Sequence, residues 1–255
     1  MPNGGAPDSL KHLCRGKVAP PTLVAHLSIL VAARVPLIVA GGAGRAIREQ
    51  IADAFASATL LPEGVSDYEI ADGERFAWLA DPAGVGCTIE GAGAAPRSPR
   101  SMRLRARGLI EALEPTVARS LLRSLVRGYQ LITTAAAPDL ASLLQALRST
   151  PYRIPEDDLL RLGAILFVEA VGGSREKGEA QSGRVATAYL VHAPEAAGLV
   201  RRPPTLLAAW NGRSCDWDDF AWAAVPDLAA RTGLTHEAYA ALLDEREGLL
   251  DEAEG

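Results

Sequence analysis

The residues best suited to chemistry lie where an apolar run ends in glycines and arginines. Leu37-Ile38-Val39-Ala40 leads directly into Gly41-Gly42-Ala43-Gly44-Arg45-Ala46-Ile47-Arg48. The backbone amides of a glycine-rich loop, joined to a helix N-terminus, form a cradle for anions. A working phosphate-transfer loop reads G-x-x-x-x-G-K-[ST], in which the lysine reaches the β- and γ-phosphates and the hydroxyl holds Mg²⁺. Here Ala46 stands at the second glycine, Ile47 at the lysine and Arg48 at the Ser/Thr. No nearby lysine can substitute: the chain has only Lys11, Lys17 and Lys177, and the other 23 of its 26 basic residues are arginine. Gly41, Gly42 and Gly44 survive, followed by Arg45 and Arg48. Two readings stay open: a vestigial phosphate loop, or a tight strand-to-helix turn for which glycines suffice.

The elements that would position this loop follow from periodicity. Pro21 to Ala33 places Leu23, Leu27, Leu30 and Val31 at helical spacing, Leu37 to Ala40 is a buried strand, and Arg45 to Ser57 returns to helical period. Tyr68 to Leu79 and Gly84 to Ile89 read as short strands, with Gly91 to Pro99 as a loop. Leu109-Ile110 is expected as a strand, Thr116 to Arg127 as a helix, Tyr129 to Thr134 as a strand and Asp139 to Ser149 as a helix. Then come a helix over Glu156 to Leu162 and strands over Ala164 to Val171 and Val185 to His192, joined by the charged hairpin loop Gly172 to Gly183. Strands alternating with helices predict an α/β fold with a mostly parallel sheet flanked by helices. Beyond Arg201-Arg202-Pro203-Pro204 the composition changes, with Trp210, Trp217 and Trp222 close together and helical patterns over Val225 to Thr232 and His236 to Ala253, Thr235 serving as N-cap. The expected organisation is an N-terminal segment (1–20), an α/β domain (21–200) and a helical C-terminal extension (201–255).

This succession resembles the C-terminal ATPase core of the type II/type IV secretion and Tad-type pilus-assembly ATPases. Ala33 to Gly44 is similar to the family's entry into its phosphate loop. Arg107-Gly108-Leu109-Ile110-Glu111-Ala112-Leu113-Glu114 resembles the Walker B strand with its catalytic glutamate. The helix Val117 to Gly128 leads to Leu131-Ile132-Thr133-Thr134, similar to the strand before the family's histidine box, and Ile154 to Val191 resembles the closing elements. The resemblance spans about residues 10 to 195 and rests on segment order. It implies a RecA-like, P-loop-type core, ATP with Mg²⁺ as the family's ligand, and a place in an envelope-spanning machine.

The departures concern chemistry. Ala136 falls where the histidine belongs, Ala112 falls at the catalytic glutamate with Glu111 and Glu114 as fallback carboxylates, and Leu61 to Leu79 holds no convincing acidic motif. The family's N-terminal domain has no counterpart in the roughly forty residues before the loop. Phosphoryl transfer depends on lysine, metal and a positioned carboxylate, so the resemblance implies a non-catalytic relative, with no cofactor expected and a structural or regulatory role through protein-protein interaction. Its partner would be an active ATPase or another machine component, or a second copy of the chain in a homo-oligomer. One alternative is a nucleotide-binding or weakly hydrolysing ATPase using Arg45 or Arg48 with Glu111 or Glu114. Another is an unrelated α/β binding domain.

Composition narrows the remaining classes. A net charge of −5 argues against a backbone-driven nucleic-acid binder, and an apolar share of 48% is that of a folded domain. Cys14, Cys87 and Cys215 lack metal or redox spacing and are expected as free thiols. No secretory signal or membrane span is read, so a cytoplasmic location is expected. His26 and His192 are solitary, Ser174 and Ser182 lack an elbow motif, and Asp216, Asp218 and Asp219 lack a calcium-loop frame. Leu228 to Thr235 looks like a helix-turn-helix turn, but the following helix is too acidic for a DNA groove. The three tryptophans either fasten the tail to the core or form an interface.

Overall fold

The computed structural model describes residues 8–59, 61, 65–70, 102–126, 128–172, 182–193 and 202–251. Trp78, Cys87, Ser174 and Lys177, the expected strand over 84–89 and the loop over 91–99 lie outside the described residues. The elements run α1 (Asp8–Arg15), α2 (Pro21–Ala32), β1 (Leu37–Ala40), α3 (Arg45–Ala58), β2 (Ser66–Ile70), β3 (Met102–Ala106), α4 (Pro115–Val126), β4 (Gln130–Ala135), α5 (Leu140–Arg148), α6 (Glu156–Leu159), β5 (Ala164–Val171), β6 (Ser182–Leu190), β7 (Thr205–Asn211), β8 (Asp216–Asp219), α7 (Ala221–Thr232) and α8 (His236–Asp251). The strands form one eight-stranded sheet in the order β2-β3-β4-β1-β5-β6-β7-β8. Pairing is parallel from β2 through β5 and antiparallel from β5 to β8. This α/β arrangement is compatible with a Rossmann- or RecA-like fold.

β1 is buried along its whole length because parallel neighbours flank it and helices cover both faces. Alternation sends Leu37 and Val39 into one core with α2 and α3, and Ile38 and Ala40 into the other with α4 and α5. α2 is apolar on all sides and buried from Leu23 to Val31, as a helix must be when it lies between the sheet and an outer pair of helices. That outer pair is α7 and α8, whose Leu228, Tyr239 and Leu250 share the α2 core.

Three expectations are corrected. Leu109-Ile110 is a turn, and the strand is β3, five residues earlier. Its pattern Met-Arg-Leu-Arg-Ala alternates as a strand should, but Arg103 is buried, which an apolarity-based reading does not anticipate. The helix over 156–162 stops at Leu159. Residues beyond 201 are not wholly helical: β7 and β8 extend the main sheet, and Leu207 and Ala208 enter its core. The apolar alternation of 205–211 is short, and pairing with β6 and β8 makes it a strand. α1, for which no element was expected, places Leu10, Leu13 and Cys14 in the same core. Among the described residues no helix is long and apolar enough to cross a membrane.

Candidate functional site: an arginine inside the glycine loop

The C-terminal edge of β1 and β4 is where ligands bind in open α/β sheets, and here it gathers the three segments of interest. Gly41 leaves β1 with φ +125°, and a Cβ on it would stand 2.1 Å from the Val168 carbonyl oxygen. Only glycine permits that approach. The loop is fastened to β5 by the Ala43 amide, which donates to the Val168 carbonyl at 3.0 Å. Gly44 then ends the loop as N-cap of α3, its carbonyl accepting from the Arg48 amide at 3.2 Å.

Arg48 lies one turn into α3 and turns back under the loop. Its side chain is 6% exposed. Nη1 donates to the Gly41 carbonyl at 3.1 Å and to the Ala43 carbonyl, while Nη2 donates to Glu111 Oε1 at 2.7 Å. An anion nest aims several N–H groups at one point. At this loop two carbonyls converge instead, and the point they share holds a guanidinium.

Glu111 is brought there by a second glycine turn. Gly108 adopts φ +72° after β3, and its amide donates to Thr134 Oγ1 at 2.9 Å while the Leu109 amide donates to the Thr134 carbonyl at 2.7 Å. The turn is thereby hung on the end of β4. Glu111 Oε2 accepts from the Ala136 amide at 2.8 Å, so one carboxylate bridges the arginine and the first residue past β4. Tyr152 lies near enough for its hydroxyl to be held above the ordinary tyrosine range, by burial first and by the Glu111 charge second. That hydroxyl donates to the Ile110 carbonyl at 2.6 Å.

The other expected site residues sit apart from this junction. A Cβ on Gly42 or Gly44 would meet nothing within 4 Å. Arg45 points outward and pairs with Glu49 at 2.7 Å, one turn along α3. Glu114 is exposed, and its carbonyl accepts from Ala118 at the start of α4. Trp210 and Trp217 stack edge to face at 4.7 Å between ring centres, Arg184 lies 3.7 Å over Trp210, and the Trp217 indole donates to the Val185 carbonyl at 2.8 Å. These two fasten the β7–β8 hairpin to the sheet. Trp222, by contrast, is 73% exposed at the start of α7.

One group was not singled out in the sequence. Arg103, Arg105 and Arg107 project from one face of β3 and its end toward α3 and β2. Arg103 forks onto Asp67 at 2.8 and 2.7 Å, Arg105 pairs with Asp53, and Arg107 joins Glu49 at 3.0 Å and Glu69 at 2.6 Å. Burial raises the Glu49 carboxyl, but hydrogen bonds from Arg45 and Arg107 outweigh it and hold the group below its usual range. The i, i+2 spacing of arginines against Asp67 and Glu69 was the available signal.

No family model matches the sequence, and no curated protein matches it.

Proposed function

We propose that this chain is a non-catalytic relative of the secretion and pilus-assembly ATPases, whose phosphate loop is filled by its own Arg48 and whose role is structural or regulatory, through protein-protein contacts. The observation that carries the reading is the Arg48 guanidinium held by Gly41, Ala43 and Glu111. A phosphate entering this loop would meet two carbonyl oxygens and would have to compete with Glu111 for the cation. The resemblance itself is supported by convergence: the loop, the stretch compared with Walker B and the position compared with the histidine box meet at one carboxylate. The order β2-β3-β4-β1-β5 is compatible with the RecA-like arrangement that the resemblance implies.

In this reading Glu111 neutralises the internal arginine in place of activating water, and the arginine takes the place of lysine, metal and phosphate together. Trp222 and the neighbouring Phe220, 73% and 39% exposed, are apolar groups that a partner could cover. Calorimetric titration with Mg²⁺-ATP, paired with a phosphate-release assay, tests the proposal. The expected result is neither stoichiometric binding nor turnover; measurable turnover refutes it.

A further inference from the structure

At the opposite end of β1 lies a second arrangement of arginines that the loop does not use. Arg34, Arg161 and Arg231 line a cleft of about 200 Å³ with Tyr129 and apolar or backbone walls, among them Val35, Pro36 and Gly128, and no carboxylate lines it among the described residues. Arg231 also lines a neighbouring cleft of about 350 Å³, together with His192, Arg202 and Asp227. The three arginines come from the loop before β1, the turn after α6 and the last turn of α7. Only the tertiary fold brings them together.

Two of these arginines lack, among the described residues, the acid partner that the β3 arginines and Arg202 have. The β3 arginines each meet an acid, and Arg202 meets Asp227. Arg161 and Arg231 have no carboxylate within 4.0 Å among the described residues. Asp158 feels the charges of Arg123 and Arg161 but forms no ion pair with Arg161. Arg231 Nη2 donates to the Arg161 carbonyl at 3.3 Å, and Arg34 Nη2 donates to the Met102 carbonyl at 2.8 Å, which holds both side chains in place. Burial, and then the Arg161 charge, push the Arg231 guanidinium below its ordinary range. Arginine stays protonated through such shifts, so Arg161 and Arg231 are two neighbouring like charges in no ion pair among the described residues, and a bound anion would relieve their repulsion.

We infer that this cleft binds the phosphate group of a small phosphorylated molecule, the phosphate held by Arg161 and Arg231 with Arg34 contributing charge, and the rest of the ligand lying toward His192 and Asp227. Guanidinium forks match phosphate geometry in two-point contacts. The cleft of about 200 Å³ has room for a phosphate, and the adjoining one of about 350 Å³, which shares Arg231, has room for the rest of a small molecule. A lipid headgroup presents the same chemistry as a soluble phosphorylated molecule.

The probes are inorganic pyrophosphate, by calorimetry at low salt, and sedimentation with phosphatidic-acid vesicles, each with the full chain. Heat with pyrophosphate indicates a soluble ligand, and sedimentation without heat indicates a headgroup. In whichever assay responds, Arg161→Gln and Arg231→Gln should each weaken binding about tenfold or more. Arg213→Gln, which removes the same charge from the exposed β7–β8 turn, should leave it unchanged. Melting temperatures check folding, and Arg161→Gln, which removes an unpaired like charge, should melt no lower than the parent chain. No response to either probe overturns the inference, as does equal binding by the parent and the two cleft variants. Loss of binding in Arg213→Gln to the same extent also overturns it, because the attraction would then be general.

Discussion

Replacing Arg48 by methionine preserves much of the side chain's length while removing every donor that holds the loop. The Gly41 and Ala43 carbonyls lose their partner, and Glu111 is left with the Ala136 amide alone. Removing one member of a buried ion pair costs about 3–5 kcal/mol. The Glu111 side chain is 23% exposed and recovers part of its hydration, which places the expected loss near the lower bound, about 3 kcal/mol. For a chain of this size that corresponds to a melting temperature roughly 6–12 °C lower. Glu111→Gln keeps one of the two acceptor oxygens and turns an NH2 donor toward either Arg48 or the Ala136 amide, so its cost is about 1–3 kcal/mol. Urea unfolding of both single variants and of the double variant gives the coupling between them, expected at about 1.5–3 kcal/mol. If Arg48→Met unfolds within about 0.5 kcal/mol of the parent, or if the two substitutions are additive, the arginine does not hold the loop and the proposed function loses its support.

Gly41→Ala forces a Cβ to within 2.1 Å of the Val168 carbonyl oxygen at φ +125°, whereas a Cβ at Gly42 meets nothing within 4 Å. Thermal melts should show a loss of about 3 kcal/mol for the first and within about 0.5 kcal/mol for the second. His26 is buried in α2 with Nδ1 2.8 Å from the Tyr239 hydroxyl, and burial lowers its pKa to about 4 despite an opposing effect of Asp219. Between pH 6.5 and 4 the unfolded chain therefore binds a proton that the folded chain refuses. This contribution, about 3 kcal/mol, is present in full above pH 6.5 and is lost as the pH falls toward 4. Urea midpoints measured across that window should fall with pH, and His26→Gln should flatten the slope. Trp217→Ala, which breaks the indole bond to Val185 and the contact with Trp210, should cost about 2 kcal/mol, while Trp222→Ala should change urea stability by less than about 0.5 kcal/mol.

Much of the scaffold was legible from periodicity. The strand over 164–171 and the helices beginning at Pro21 and Arg45 stand where apolar spacing places them. Residues buried on both faces, such as β1, give a continuous apolar run that glycine ends, and this is a local signal. The sequence alone also determined what the loop lacks, because the absence of lysine at its chemical positions is a fact of composition. It could not determine what fills the loop. Arg48 was in view only as a group following the glycines; that its guanidinium turns inward depends on Glu111, 63 residues away, and on the Thr134 contacts that set the turn around it. The buried arginines of β3 and the β7–β8 hairpin were hidden for the same reason. A buried arginine needs acids or carbonyls from another element to face it, and a short strand forms only where a neighbour completes its hydrogen bonds. The three arginines at the foot of β1 were hidden too, close in space through long-range packing alone. Local spacing determined the elements, and pairing between distant elements decided which charges are neutralised.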